Sequence, residues 1–214
     1  MRQDRSGHDT GALFAGLGAG AERLRLGRTV GRLRGAARHS RSPRRSGSGI
    51  QCRLGAGARL RADAGGREQA RATARYLDAV GHLERCHALM SSPAPRARET
   101  ADILAATYAG SRELDAAFSE IGELPDGTPE DLAAGMRRAS GTLERLARER
   151  HGRRLIIVTH SGFIMASVRA LFAIPNPGTG ARLEPSCASC TEWHHDGGSW
   201  LLGRYNFIPA PGEI

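Results

Sequence analysis

Apolar residues recur every three to four positions in four stretches of the chain, and this spacing predicts amphipathic helices. In residues 66–80, Ala70, Ala74 and Leu77 form the apolar side and arginines lie on the opposite side. The other three helices are predicted at 96–108, 128–149 and 163–172. A regular pattern of this kind begins only near residue 66.

Short apolar runs separate these helices and predict strands. Residues 155–158 are the uninterrupted aliphatic run LIIV, which is typical of a strand covered by helices on both faces. Further strands are predicted at 86–90, 187–194 and 199–205, with a hairpin at 196–198 joining the last two. Strands that alternate with helices indicate an α/β protein, a three-layer α/β/α sandwich around a mostly parallel sheet.

The first 64 residues lack a comparable pattern. They are rich in Arg, Gly, Ala and Ser, and such a segment cannot bury enough apolar surface to offset the entropy lost on ordering. A weak helical pattern at 12–26 is diluted by three glycines. We therefore predict a disordered segment over residues 1–64 and one folded domain over 65–214.

Charge is distributed as unevenly as hydrophobicity. The chain has 31 basic residues, all of them arginine, and 22 acidic residues, for a net charge of +9. Residues 1–64 contain 14 arginines and 4 acids, whereas 65–214 contain 17 arginines and 18 acids. The folded domain is thus nearly neutral, and we do not expect it to bind nucleic acid. A nucleic-acid-associated protein that uses the arginine-rich segment is kept as an alternative.

The sequence gives no sign of a membrane or metal partner. No apolar run approaches membrane-spanning length, and the N-terminus lacks the compact apolar core of a secretory signal, so we expect a cytoplasmic protein. Cys187 and Cys190 have C-x-x-C spacing, but no second pair completes a zinc site. We expect ordinary thiols there, no metal and no cofactor.

Polar residues follow two of the predicted strands. The sequence SSPAPR at 91–96 follows one strand, and THSG at 159–162 follows another. The carboxyl ends of parallel strands share the sheet edge at which α/β proteins bind ligands. Arg96 offers a planar set of donors suited to phosphate, and the helix that starts near Ser161 adds backbone N–H groups for the same anion. The predicted ligand is a small phosphorylated molecule.

Four motifs in this order resemble those of the histidine phosphatase (phosphoglycerate mutase-like) superfamily, branch 1. They are GREQA at 66–70, SSPAPRARETA at 91–101, EI at 120–121 and VTHSG at 158–162. The resemblance covers roughly residues 65–206 and implies the phosphoglycerate mutase-like fold. It also implies a phosphatase or, as a second choice, a mutase, in which a histidine attacks phosphorus and the phosphohistidine is then hydrolysed or passes its phosphate on.

Motif position in the resemblance assigns roles to individual residues. Arg96 corresponds to an arginine of the phosphate pocket, and His160 to the histidine that stabilises the equatorial phosphoryl oxygens. Ser161 belongs to the same phosphate site. Either Glu120 or Glu123 corresponds to the proton donor for the leaving group, and the sequence leaves that choice open. No metal takes part.

The superfamily's first strand and the Arg-His-Gly triplet that follows it are missing from their expected place. The nearest match, Arg38-His39-Ser40, makes His39 the candidate nucleophile, although the glycine and a preceding apolar strand are lacking. A second hypothesis is a frameshift, because suitable codons for residues 42–46 spell Arg-His-Gly when shifted by one nucleotide. The sheet would then lack its central strand, and we would expect poor stability and an inactive chain. A non-catalytic, phosphatase-like anion-binding protein is therefore a further alternative.

Overall fold

The computed structural model describes the backbone of residues 10–17 and, with side chains, residues 64–175 and 183–209. The strands are β1 (Thr10–Leu17), β2 (Ala88–Ser91), β3 (Ser111–Leu114), β4 (Leu155–His160), β5 (Ser189–His195) and β6 (Trp200–Phe207). The helices are α1 (Ala64–Ala79), α2 (Pro95–Ala105), α3 (Leu132–Glu149) and α4 (Ser161–Leu171), with a short 3-10 helix at Ala116–Phe118.

The six strands form one sheet in the order β3-β2-β4-β1-β5-β6. Four neighbouring strands, β3, β2, β4 and β1, are parallel to one another. Strand β5 runs antiparallel to β1, and β6 pairs antiparallel with β5 through the predicted hairpin. The mostly parallel sheet is confirmed, and β4 lies in its middle with a parallel neighbour on each side.

Helices cover both faces of β4, as its uninterrupted apolar sequence predicts. Leu155 and Ile157 pack in a core with residues of α3 and α4 on one face. Ile156 and Val158 pack with residues of α1 and α2 on the other face. The predicted three-layer α/β/α sandwich follows from this alternation, because successive side chains of a strand point to opposite faces.

The prediction that the first strand is missing was wrong. Residues Thr10–Leu17, TGALFAGL, form β1 between β4 and β5, with parallel pairing to one and antiparallel pairing to the other. The weak helical pattern at 12–26 was misleading, because a strand in the middle of a sheet is covered on both faces and needs no alternation of apolar and polar residues. The rest of the segment predicted to be disordered, residues 1–9 and 18–63, lies outside the described residues.

Two other elements differ from the prediction. Strand β3, with the sequence SREL, was not predicted because it is a largely exposed edge strand with polar residues. Helix α3 begins at Leu132, not near Thr128, because the Asp131 side chain accepts a hydrogen bond from the Ala134 N–H (2.7 Å) and caps the first turn. Both differences concern short polar sequences whose structure is set by neighbouring segments.

Candidate functional site

His160 is the last residue of β4 and directly precedes α4. Its side chain is fully buried, and its Nε2 atom lies 2.8 Å from the Oγ atom of Ser92, just after β2. The Ser92 hydroxyl also accepts a hydrogen bond from the Ala94 N–H (3.3 Å). The neighbouring strands β2 and β4 therefore bring the two predicted polar segments together at the carboxyl edge of the sheet.

The imidazole of His160 is neutral at physiological pH. Burial, and then the nearby positive charges of Arg96 and Arg138, lower its pKa from 6.5 to about 3. Among the described residues its buried Nδ1 atom has no hydrogen-bond partner.

Glu120 lies in the loop that follows the 3-10 helix, against the start of α4. Its Oε1 atom accepts a hydrogen bond from the Ile121 N–H (2.8 Å), and its Oε2 atom accepts one from the Gly162 N–H (3.3 Å). Burial raises the pKa of this carboxyl group, although the hydrogen bonds oppose the shift. A Cβ atom at Gly162 would collide with the Glu120 carboxylate, so glycine is needed there for the close approach.

Arg96 lies in the first turn of α2 and forms an ion pair with Glu123, with 2.9 Å between Nη2 and Oε2. The pair is partly buried, because the two side chains are 20% and 25% exposed. The positive charge of Arg96 also lowers the pKa values of His160 and Glu120, so the three groups share one electrostatic environment. Glu123 is thus the counter-ion of Arg96 at the border of this site.

The structure brings together most of the side chains that the sequence singled out. Arg96, His160 and Glu120 converge, Glu123 adjoins them, and Ser161 begins the helix next to His160. The predicted nucleophile is outside the described residues. A guanidinium, a neutral imidazole and a carboxyl group with a raised pKa at one sheet edge are groups suited to bind a phosphoryl group and to move a proton.

Comparison with known proteins identifies the family. A family model described as histidine phosphatase superfamily (branch 1) matches residues 37–123 and 114–208. The chain belongs to the histidine phosphatase superfamily. The superfamily match begins at residue 37, earlier than the predicted domain boundary at 65, and includes His39. No curated protein matches the sequence.

Several solved structures resemble this fold. YhfR of Bacillus stearothermophilus is 16% identical, with 93% of this chain and 98% of YhfR covered and a TM-score of 0.64. A mycobacterial glucosyl-3-phosphoglycerate phosphatase, solved with VO3, is 18% identical and has a TM-score of 0.56. The match covers 93% of this chain and 99% of the phosphatase. A histidine-to-alanine mutant of phosphoserine phosphatase from Entamoeba histolytica, solved with phosphoserine, is 18% identical and has a TM-score of 0.56. The match covers 68% of this chain and 84% of that protein. These similarities confirm the predicted fold class.

The letters Arg-His-Gly, the superfamily's nucleophile triplet, do occur at residues 150–152. They follow α3 and precede β4, so they lie at the amino edge of the sheet. Strand β4 has 6 residues. At about 3.3 Å per residue, its length alone separates the triplet from His160 by roughly 17 Å. His151 therefore belongs to the wrong end of the sheet for this site.

Two residues of the site region were missed by sequence analysis. Ser92 was noticed only as part of a motif, although its position directly after β2 was a usable signal. Arg138 lies on α3, away from all four motifs, and still lowers the pKa of His160. Its neighbour Arg137 is exposed on the same helix, and the sequence offers no signal that distinguishes the two arginines.

The described residues contain neither a membrane-crossing helix nor a metal cluster. No helix in this part of the chain is long and apolar enough to span a membrane. Nowhere in residues 64–175 and 183–209 do three His, Cys, Asp or Glu side chains group so that they could hold a metal ion. Cys86 and Cys190 are free thiols, and burial raises the pKa of Cys190 to about 12.

Proposed function

We propose that this chain hydrolyses small phosphomonoesters through a phosphohistidine intermediate. Arg96 and His160 hold the phosphoryl group, the α4 N-terminus at Ser161 adds backbone donors, and Glu120 protonates the leaving oxygen. The observation that carries the proposal is the meeting of Arg96, neutral His160 and buried Glu120 at one edge of the sheet. Membership of the histidine phosphatase superfamily supports it.

The surroundings of the two candidate acids favour Glu120 over Glu123. A proton donor must hold its proton near neutral pH, and burial raises the pKa of Glu120 in that direction. Glu123 instead forms an ion pair with Arg96, so its carboxylate is engaged by that guanidinium at the border of the site. We assign the leaving-group proton to Glu120 and the role of a displaceable counter-ion to Glu123.

His39 is the proposed nucleophile. It is the first histidine after β1 in the sequence, and β1 ends at Leu17, which pairs with His160 at the edge where the phosphoryl group would bind. A ring nitrogen of His39 forms the P–N bond while the P–O ester bond breaks and Glu120 gives its proton to the leaving oxygen. Water then attacks phosphorus, the P–N bond breaks, the Glu120 carboxylate takes a proton from that water, and inorganic phosphate leaves.

Hydrolysis and phosphoenzyme formation test the proposal together. The substrates are p-nitrophenyl phosphate, phosphoserine and 3-phosphoglycerate, and a rapidly quenched reaction is examined for an acid-labile, alkali-stable phosphoprotein. We expect turnover and labelling by the full chain, and loss of both in His39→Ala. Turnover by His39→Ala at the original rate would remove His39 from the mechanism.

A non-catalytic anion-binding protein is the second candidate, because the segment between β1 and α1 contains no Arg-His-Gly triplet. It predicts that inorganic phosphate or vanadate binds the full chain and that none of the three substrates is hydrolysed. The coding DNA of residues 35–66 adds a separate test of the frameshift hypothesis. Arg-His-Gly codons in the shifted frame support it, and their absence excludes it.

Gly162→Ala is expected to impair proton donation without unfolding the protein. The new methyl group collides with the end of the Glu120 side chain, which can swing away, so the fold adapts while the acid is displaced. We expect kcat for phosphoserine to fall at least about tenfold, because a positioned general acid contributes about 10²-fold or more. Steady-state kinetics and urea denaturation measure the two effects.

Gly141→Ala is the matched control for this substitution. A Cβ atom at Gly141 meets nothing within 4 Å, and the residue lies within α3. Alanine there should leave kcat unchanged and raise the free energy of unfolding by about 0.5–1 kcal/mol, the usual gain in a helix. Equal kinetics for Gly162→Ala and Gly141→Ala would contradict the assigned role of Glu120.

Glu123→Gln is expected to strengthen the binding of phosphate. The substitution removes the carboxylate that pairs with Arg96, so an incoming anion no longer has to displace it. A partly exposed ion pair contributes up to about 1 kcal/mol, which corresponds to an increase in affinity of roughly two- to fivefold. Inhibition by vanadate measures the change, with Glu149→Gln, whose partner is Arg145, as the control. Weaker inhibition in Glu123→Gln would mean that Glu123 orients Arg96 for the anion and does not compete with it.

A further inference from the structure

Arg138 reaches from α3 to the backbone of the loop that carries Glu120. Its Nη1 atom donates hydrogen bonds to the carbonyl oxygens of Ala117 (2.7 Å) and Ser119 (3.0 Å). Its Nη2 atom donates to the carbonyl oxygen of Glu120 itself (3.5 Å). One guanidinium thus satisfies three backbone acceptors in the segment that leads to the proposed acid.

Glu130 completes this arrangement from the other side of the loop. It binds Arg138 with both carboxylate oxygens, at 2.7 Å from Nε and 2.6 Å from Nη2, and its side chain is only 4% exposed. The same carboxylate accepts the Gly122 N–H at 3.3 Å. Gly122 has a φ of +76°, so the chain turns sharply at this point. The ion pair therefore holds the backbone immediately before and after the Glu120 side chain.

Other side chains also contact Arg138 and the loop that carries Glu120. The guanidinium of Arg138 lies 5.9 Å from the ring centre of Phe163 in the first turn of α4. The Arg138 side chain is 16% exposed. A second anchor, the Thr159 hydroxyl, donates to the Phe118 carbonyl oxygen at 2.7 Å but does not reach the peptide groups of Glu120. The Glu120 carbonyl oxygen also accepts the Glu123 N–H at 3.1 Å, a bond within the loop itself. Arg138 and Glu130 therefore attach this locally bonded turn to α3.

We infer that the Arg138–Glu130 ion pair is a positioning device for proton donation, because it fixes the loop from which the Glu120 carboxyl group reaches the N-terminus of α4. The inference rests on the proposed function. Neither residue is assigned a contact with the substrate. Proton transfer is sensitive to distance, so a loop that moves by a fraction of an ångström lowers the rate of the step that needs the proton.

The variant that tests this role is the double substitution Arg138→Met with Glu130→Gln. Removing only one partner would leave a buried charge unpaired and endanger folding, whereas the double variant removes both charges and keeps the side-chain volumes similar. Arg138→Lys is the conservative companion, since it keeps the charge but cannot bridge three carbonyl oxygens. Arg137→Met, exposed on the same helix, is the matched control.

Leaving-group dependence distinguishes a positioning role from a general loss of structure. The serine alkoxide of phosphoserine needs a proton to leave, whereas p-nitrophenolate leaves readily without one. We expect the double variant to lose at least about tenfold more kcat with phosphoserine than with p-nitrophenyl phosphate, with KM little changed, and Arg138→Lys to fall between it and the full chain. Equal losses for both substrates would overturn the inference.

A second readout does not depend on turnover. Carbon-13 NMR of the glutamate carboxyl groups, assigned with Glu120→Gln, gives the pKa of Glu120 in each protein. If the loop is released, the carboxyl group moves towards water and its raised pKa falls. The double variant removes one positive and one negative charge together, so the change in charge by itself should shift this pKa little. A lower pKa of Glu120 in the double variant, with no change in Arg137→Met, supports the inference. A higher or unchanged pKa in the double variant overturns it. A chain that hydrolyses nothing would reject the proposed function, and this measurement would still decide the role of Arg138.

Discussion

His160→Ala is expected to lower kcat for phosphomonoesters about 10²- to 10³-fold, the loss found when one preorganised donor to a developing negative charge is removed. The imidazole is fully buried at the end of β4, and one of its nitrogens is already engaged by Ser92. Alanine leaves Arg96 as the main fixed group that meets the phosphoryl oxygens. We expect vanadate, whose geometry is closer to the transition state, to lose more affinity than inorganic phosphate.

His151→Ala is the control for that substitution. His151 is exposed and belongs to the Arg-His-Gly letters at the amino edge of the sheet, so its loss should change neither kcat nor KM. Circular dichroism and urea denaturation establish that both variants are folded. If His151→Ala abolished turnover and His160→Ala did not, the site would lie at the opposite edge of the sheet.

The middle of the fold was predictable because a strand that is buried on both faces has an uninterrupted run of apolar residues. A run such as LIIV at 155–158 is stable in few places other than a strand covered on both faces, and the polar residues after it then mark the ligand-binding edge. Strand β1 was missed because its position depends on backbone pairing with β4 and β5. Its small residues and glycines carry no period that distinguishes this strand from the arginine-rich sequence around it.

The candidate site was predictable to the extent that motifs name its residues. Arg96 and His160 were found in this way, and Glu120 was left equal to Glu123. The two glutamates lie three residues apart in the sequence, but only one is buried against α4, and only the structure shows the other beside Arg96. Arg138 was beyond prediction, because three of its partners are carbonyl oxygens, which every residue has, at 18 to 21 residues' distance in the sequence. Its fourth partner, Glu130, is 8 residues away and belongs to none of the motifs.

Burial of neutral His160 is expected to make the protein sensitive to acid. The pKa of this group is about 3 in the folded chain and ordinarily 6.5, so between these values the unfolded chain binds a proton that the folded chain does not. Stability from this source is therefore lost as pH falls below about 6.5, at a rate of about 1.4 kcal/mol per pH unit. Glu120 has a raised pKa and acts in the opposite direction, which calls for a comparison in which its contribution cancels.

The comparison is between the full chain and His160→Gln, which has no charge to gain at position 160. Both contain Glu120, so the difference between their free energies of unfolding isolates the histidine. Urea denaturation at pH 7, 6 and 5 should show the full chain losing about 2 kcal/mol relative to the variant by pH 5. Parallel pH dependences would mean that His160 is protonated in the folded chain, and a positively charged imidazole would then meet the phosphoryl group. Since a neutral ring can donate only one hydrogen and Ser92 contacts Nε2, the measurement also decides how many N–H donors the site offers to phosphate.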